Sequence, residues 1–132
     1  MQCFFHAFWI KYSMSILEDK SYDFAKRIVK CSQYLQKDKK EFILSKQVLR
    51  SGTSVGALVA EGKYAQSKAD FINKLSVSLK ESNETKYWLR LLKDCSYLEE
   101  KIANSLLEDI EQLIKILAAS IKTAKESISN EL

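Results

Sequence analysis

The chain has 132 residues, 46% of them hydrophobic and none of them proline, with three glycines and a net charge of +4. That length fits one domain able to bury a core, and the scarcity of turn residues argues against all-β and α/β architectures. His6 is the only histidine, so catalytic triads and histidine-based zinc sites lack their residues.

Residues 1–13, MQCFFHAFWIKYS, are apolar and aromatic. They are shorter than the ~20 residues that span a bilayer, and they lack the basic start and small-residue cleavage site of a signal peptide. Met14 then opens SILEDKSYDF, which reads as the start of a helical protein. The expectation is an extension over 1–13, mis-annotated or disordered, ahead of a single domain over 14–132. The alternative is a short apolar arm that packs on a neighbour.

A first helix is predicted over 21–36, with Ser21 and Asp23 as N-terminal capping residues. Phe24, Ile28, Cys31 and Leu35 form its apolar stripe. The run Lys37–Lys40 is a polar break suited to a tight reversal. A second helix is predicted over 41–64, with Leu44, Val48, Val55, Leu58 and Val59 as apolar contacts. Gly52 and Gly56 stand four apart on one face. A glycine inside a helix costs about 1 kcal/mol relative to alanine, so the pair calls for a closely approaching neighbour. Arg50, Glu61 and Lys63 exclude the membrane-dimer version of this motif.

A third helix is predicted over 68–94, with Ser67 as N-cap and Asp70 completing a capping-box pattern. Its stripe is Phe71, Leu75, Ser78, Ser82, Thr85, Leu89 and Leu92. Ser78, Ser82 and Thr85 are expected to meet Gly52 and Gly56 in one seam of small residues. Tyr87 and Trp88 fall off the stripe, at a bundle edge or a subunit contact. A fourth helix is predicted over 99–127, with a stripe of Ile102, Leu106, Ile110, Leu113, Leu117, Ile121 and Ala124. Leu107 and Ile114 make a second apolar flank, buried within the monomer or facing another subunit. Four amphipathic helices with short loops predict an all-α, antiparallel up-down-up-down four-helix bundle.

Charge divides the chain. Residues 20–50 hold nine Lys/Arg against three Asp/Glu, and residues 99–132 hold four against seven. The basic front offers a nucleic-acid surface of Lys26, Arg27, Lys30, Lys37, Lys39, Lys40, Lys46 and Arg50. The plainer account is a set of solvated helix faces. Glu61, Glu81 and Glu84 could hold a hard cation, but salt bridges to Lys80, Arg50 or Lys63 are the simpler use of them. Cys3, Cys31 and Cys95 form no close pair, which suits a reducing compartment and a cytoplasmic location. No catalytic residue, metal, cofactor, membrane partner or small-molecule substrate is expected.

The segments SYDFAKRIVK, LSKQVLRSGTSVGA, AEG, KADFINKLSVSLKES and ETKYWL occur in that order. Over about residues 18–126 the chain resembles the bacterial four-helix bundle proteins named after the 23S rRNA intervening sequence. One departure is Leu58-Val59-Ala60-Glu61, where that family commonly reads Asn-Ile-Ala-Glu. The resemblance implies a left-handed bundle assembled as a ring-like homopentamer. It also implies a distant likeness to the accessory protein of diversity-generating retroelements, a basic pentamer that engages nucleic acid and a reverse transcriptase. The expected function is a non-enzymatic homopentameric scaffold; the alternative is a nucleic-acid-binding accessory protein.

Overall fold

The computed structural model describes the backbone over residues 2–131 and side chains over 7–129. It contains four helices: α1 (Gln2–Lys37), α2 (Leu44–Lys63), α3 (Lys68–Asp94) and α4 (Glu100–Glu131). There is no strand among the described residues. Each helix packs on its neighbours in the chain, and α4 closes back on α1; the diagonal pairs make no Cα approach within 8 Å. The core is shared by all four. Leu17, Phe24, Ile28 and Leu35 of α1 meet Val48, Val55 and Val59 of α2, Leu75, Leu89 and Leu92 of α3, and Leu106, Ile110, Leu113 and Leu117 of α4, all essentially without solvent exposure.

Two predicted boundaries move. α1 does not start at Ser21. The helix runs unbroken from Gln2, and Ser21 lies buried in its middle, with its hydroxyl donating to Glu18 O (3.4 Å). No proline or glycine precedes Gly52 to stop a helix, and Ile10, Met14 and Leu17 carry the apolar stripe upstream at helical spacing. The expected division between residues 13 and 14 therefore falls inside a helix. α2 starts at Leu44 and not at Glu41. Glu41 stays outside and caps: its Oε1 accepts from the backbone N–H of Ile43 (3.1 Å) and of Ser45 (2.8 Å).

α3 begins as its sequence predicts. Ser67 is extended, and its Oγ accepts from Asp70 N–H (3.1 Å), while Asp70 Oδ2 accepts from Gln66 N–H (3.2 Å). α3 ends with Ser96 in the left-handed region (φ 64), and Tyr97 and Leu98 N–H both return to Leu92 O (2.9 and 3.3 Å). In α4 the predicted stripe is buried with one exception: Ile102 is exposed, and Ala103 takes the inward position.

The single small-residue seam becomes two. A methyl group added at Gly52 would sit 2.9 Å from Ile28 Cγ1, and one at Gly56 would sit 3.2 Å from Ser21 O. Both glycines therefore face α1, not α3. Ser78 and Thr85 face α2 through other residues: Ser78 Oγ donates to Val55 O (2.9 Å), and Thr85 Oγ1 lies 2.9 Å from Ser51 Oγ, while buried Ser82 donates within α3 to Ser78 O (2.9 Å). Positions 51 and 55 sit one residue, about 100° of helix rotation, away from 52 and 56. Toward α1 the helix presents Gly52, Gly56 and the carbonyl of Ser45, which accepts from the buried Ser32 hydroxyl (3.0 Å); toward α3 it presents Val55 O, Ser51 Oγ and, near its end, Gly62.

Candidate interaction surfaces

The eight basic residues do not form one surface. Arg27 turns toward α4, where it pairs with Asp109 and donates to Ser105 Oγ (3.0 Å). Arg50 bridges α2 to α3, donating to Glu81 Oε2 (3.1 Å) and to Glu84. Burial works to lower the Arg50 pKa, but the Glu81 and Glu84 carboxylates outweigh it and hold the proton more tightly than usual. Lys26 pairs with Asp23 (3.1 Å) and lies over the Tyr22 ring (5.2 Å). Lys30 is exposed at the α1/α4 groove beside Cys31 and Tyr34. Lys37, Lys39, Lys40 and Lys46 gather at the α1–α2 turn, all exposed.

Several carboxylates are engaged by cations of a neighbouring helix. Arg50 takes both Glu81 and Glu84, and Glu84 Oε2 also accepts from Trp88 Nε1 (3.1 Å). Lys86 pairs with Glu111 across α3 and α4, and Lys63 with Glu18 across α2 and α1 (3.6 Å). Opposite charges on neighbouring helices are thus used between those helices. No group of three or more His, Cys, Asp or Glu among the described residues is placed to hold a metal ion.

The residues anticipated at a subunit contact divide as well. Trp88, Leu107 and Ile114 are half-buried and pack on the core. Tyr87 stays exposed, edge-on to Trp88 at 5.1 Å between ring centroids. A larger apolar surface lies elsewhere and was missed. Phe8, Tyr12, Tyr22 and Val29, spaced by four, ten and seven residues, fall on one broad outward face of α1, and the first three are 64%, 61% and 67% exposed. Tyr64, 80% exposed, stands across from Tyr22 at the end of α2. Between Tyr22 and Tyr64 runs an α1/α2 groove of about 870 Å³, floored by Thr53, Gly56, Ala57 and Ala60. In the sequence this face is legible only when residues 1–13 count as part of the first helix, because Phe8 and Tyr12 supply half of it.

Cys31 and Cys95 are free, the first buried and the second exposed. Burial pushes the Cys31 thiol from 9.0 up to about 11, with Arg27 pulling the other way. That thiol is a core group and not a nucleophile.

Four helices in a cyclic arrangement, joined by cross-helix ion pairs and buried hydroxyls, define a small all-helical protein. Its residues 15–119 match the family model of the 23S rRNA-intervening sequence protein, and the chain belongs to that family. Among solved structures it is similar to a protein of unknown function from the S23 ribosomal protein family of Bacteroides thetaiotaomicron. The two are 47% identical with a TM-score of 0.82, over 83% of this chain and 98% of that one. No curated protein matches the chain.

Proposed function

We propose that the protein is a non-enzymatic, self-associating helical scaffold of the cytoplasm, built as a left-handed up-down-up-down bundle. The observation that carries this reading is the exposed aromatic face of α1 with Tyr64 and the groove beside it. Apolar patches of this kind mark interaction sites, and tyrosine is enriched at interfaces. In a head-to-tail ring this face of one copy would meet a different face of the next. The family resemblance supports a homopentamer, a ring formed by head-to-tail contacts that close. The order of the cross-helix contacts supports the alternating topology: Ser13, Lys20 and Arg27 of α1 meet Ser120, Gln112 and Asp109 of α4 in descending order. Free Cys31 and Cys95 suit a reducing compartment.

Sedimentation velocity tests it. The expected result is one assembled species for the native chain and a shift to monomer for Tyr22→Glu, which places a charge in the middle of the face. A native chain that sediments as a monomer at micromolar concentration overturns the scaffold reading.

Nucleic-acid binding is the second reading, supported by the exposed lysines of the α1–α2 turn together with Lys30. With Arg27, Arg50 and Lys26 already paired to carboxylates, five cations remain of the eight. Filter binding with structured RNA and duplex DNA should then give a log–log salt slope of about −4 if each of the five meets a phosphate. A flat response at low salt removes this reading.

A further inference from the structure

The turn from α1 to α2 presents two apolar side chains to water beside four exposed lysines. Phe42 is 52% and Ile43 is 73% exposed. They are held out by a fixed backbone: Lys40 is in the left-handed region (φ 55), Glu41 N–H donates to Leu35 O (2.9 Å), and the Glu41 carboxylate caps α2. The side chains of Lys37, Lys39, Lys40 and Lys46 make no hydrogen bond or ion pair among the described residues. Over residues 37–46 there are four lysines against two acids, and one of those, Glu41, is engaged in capping. The acids of the neighbouring α3–α4 turn, Asp94, Glu99 and Glu100, line a groove with Lys39 and Lys93. They offset Lys39 most, and do not line that groove with Lys37, Lys40 or Lys46.

We propose that this turn docks on an anionic bilayer surface, with Phe42 and Ile43 entering the boundary between headgroups and acyl chains and the lysines meeting acidic headgroups. Buried apolar area and cationic attraction together set the strength of such peripheral binding. Two features favour lipid over other partners. Ile43, the more exposed of the pair, has no ring face on which a base could stack. A rim of unpaired lysines is poor in a protein interface, where lysine is depleted. No helix of the described residues is long and apolar enough to cross a membrane, so the association is peripheral. The absence of a spanning segment, which led to the expectation of no membrane partner, leaves this mode open. The proposal does not depend on self-association, although a ring would present the turn several times on one side and multiply weak contacts.

The test is co-flotation of the full chain with phosphatidylcholine vesicles, with and without phosphatidylglycerol, at physiological ionic strength. Binding is expected only when phosphatidylglycerol is present. Phe42→Ser with Ile43→Ser should reduce it roughly tenfold or more, and Lys37→Gln or Lys40→Gln about fivefold each. All of these positions are exposed, and an unchanged thermal melt confirms that the variants fold. Tyr87→Ser, an exposed aromatic outside the turn, should bind as the native chain does. Absence of flotation with acidic vesicles overturns the proposal, as does equal flotation of the Phe42/Ile43 variant. RNA binding that requires Phe42 and Ile43, without vesicle binding, overturns it in favour of nucleic acid.

Discussion

At the scale of single residues, the three glycines are not equivalent. At Gly52 a new methyl would lie 2.9 Å from both γ carbons of Ile28, a buried, β-branched side chain with little freedom to turn away. Gly52→Ala is therefore expected to destabilise by about 1–3 kcal/mol, since overpacking outweighs the gain in helix propensity. At Gly62 the nearest atoms are 3.7 Å away, in ordinary contact. Gly62→Ala should stabilise by about 0.5–1 kcal/mol. Urea melts of the two variants check both signs. The sequence alone showed that close approach was needed somewhere on α2, but not that Gly52 and Gly56 face α1. That distinction rests on one residue of helix rotation, which apolar periodicity does not resolve.

Cys31 carries a second prediction at this scale. In the folded chain its thiol keeps its proton to about 11, while in the unfolded chain it ionises near 9.0. Between these values the native state binds more protons. The contribution is therefore complete below 9.0 and is lost as the pH rises to about 11, by about 2–3 kcal/mol. Cys31→Ala should flatten this part of the pH–stability curve. At neutral pH, iodoacetamide should label exposed Cys95 well before buried Cys31, with the order read by peptide mapping.

At the scale of helices, legibility followed capping chemistry. α3 was readable to the residue because Ser67 and Asp70 supply side chains for the first free N–H groups. Ser67→Ala should cost about 1 kcal/mol in a thermal or urea melt. α1 was misread for the opposite reason: Ser21 and Asp23 have capping chemistry, but nothing before them ends a helix. Ser21 is instead needed as a small side chain beneath Gly56. Glu41 was read as the first residue of α2, although its carboxylate works from outside the helix. Ile102 and Ala103 exchanged places because three- and four-residue steps both satisfy an apolar stripe, and only the chain leaving Leu98 decides between them.

At the scale of the whole molecule, composition and periodicity were enough for an all-helical domain, and five ordered motifs were enough for the family. The surfaces were harder to read. A sequence gives every lysine and arginine the same sign; Arg50 with Glu81 and Glu84 is among the pairings it suggests, but only the packed helices single it out and add Arg27 with Asp109. The exposed aromatics of α1 were equally hidden, because a phenylalanine or tyrosine at helical spacing reads first as core.

The unequal lengths of the helices set an order of opening. Gly56 rests against Ser21, and α2 ends at Lys63, two turns further on. Two turns back along α1 from Ser21 lies Met14. Residues before Met14 therefore run past the end of α2, held to α4 by contacts such as Ser13 with Ser120 (3.1 Å) and by Trp9 and Tyr12 beside Ile116. With one flanking helix missing, this end has fewer buried contacts to lose when it opens. Native-state hydrogen exchange should show amides of residues 7–12 exchanging through local fraying, insensitive to low denaturant, while those around Leu35, Leu89 and Leu106 exchange only through global unfolding. Uniform protection along α1 would mean that the helix opens as one unit.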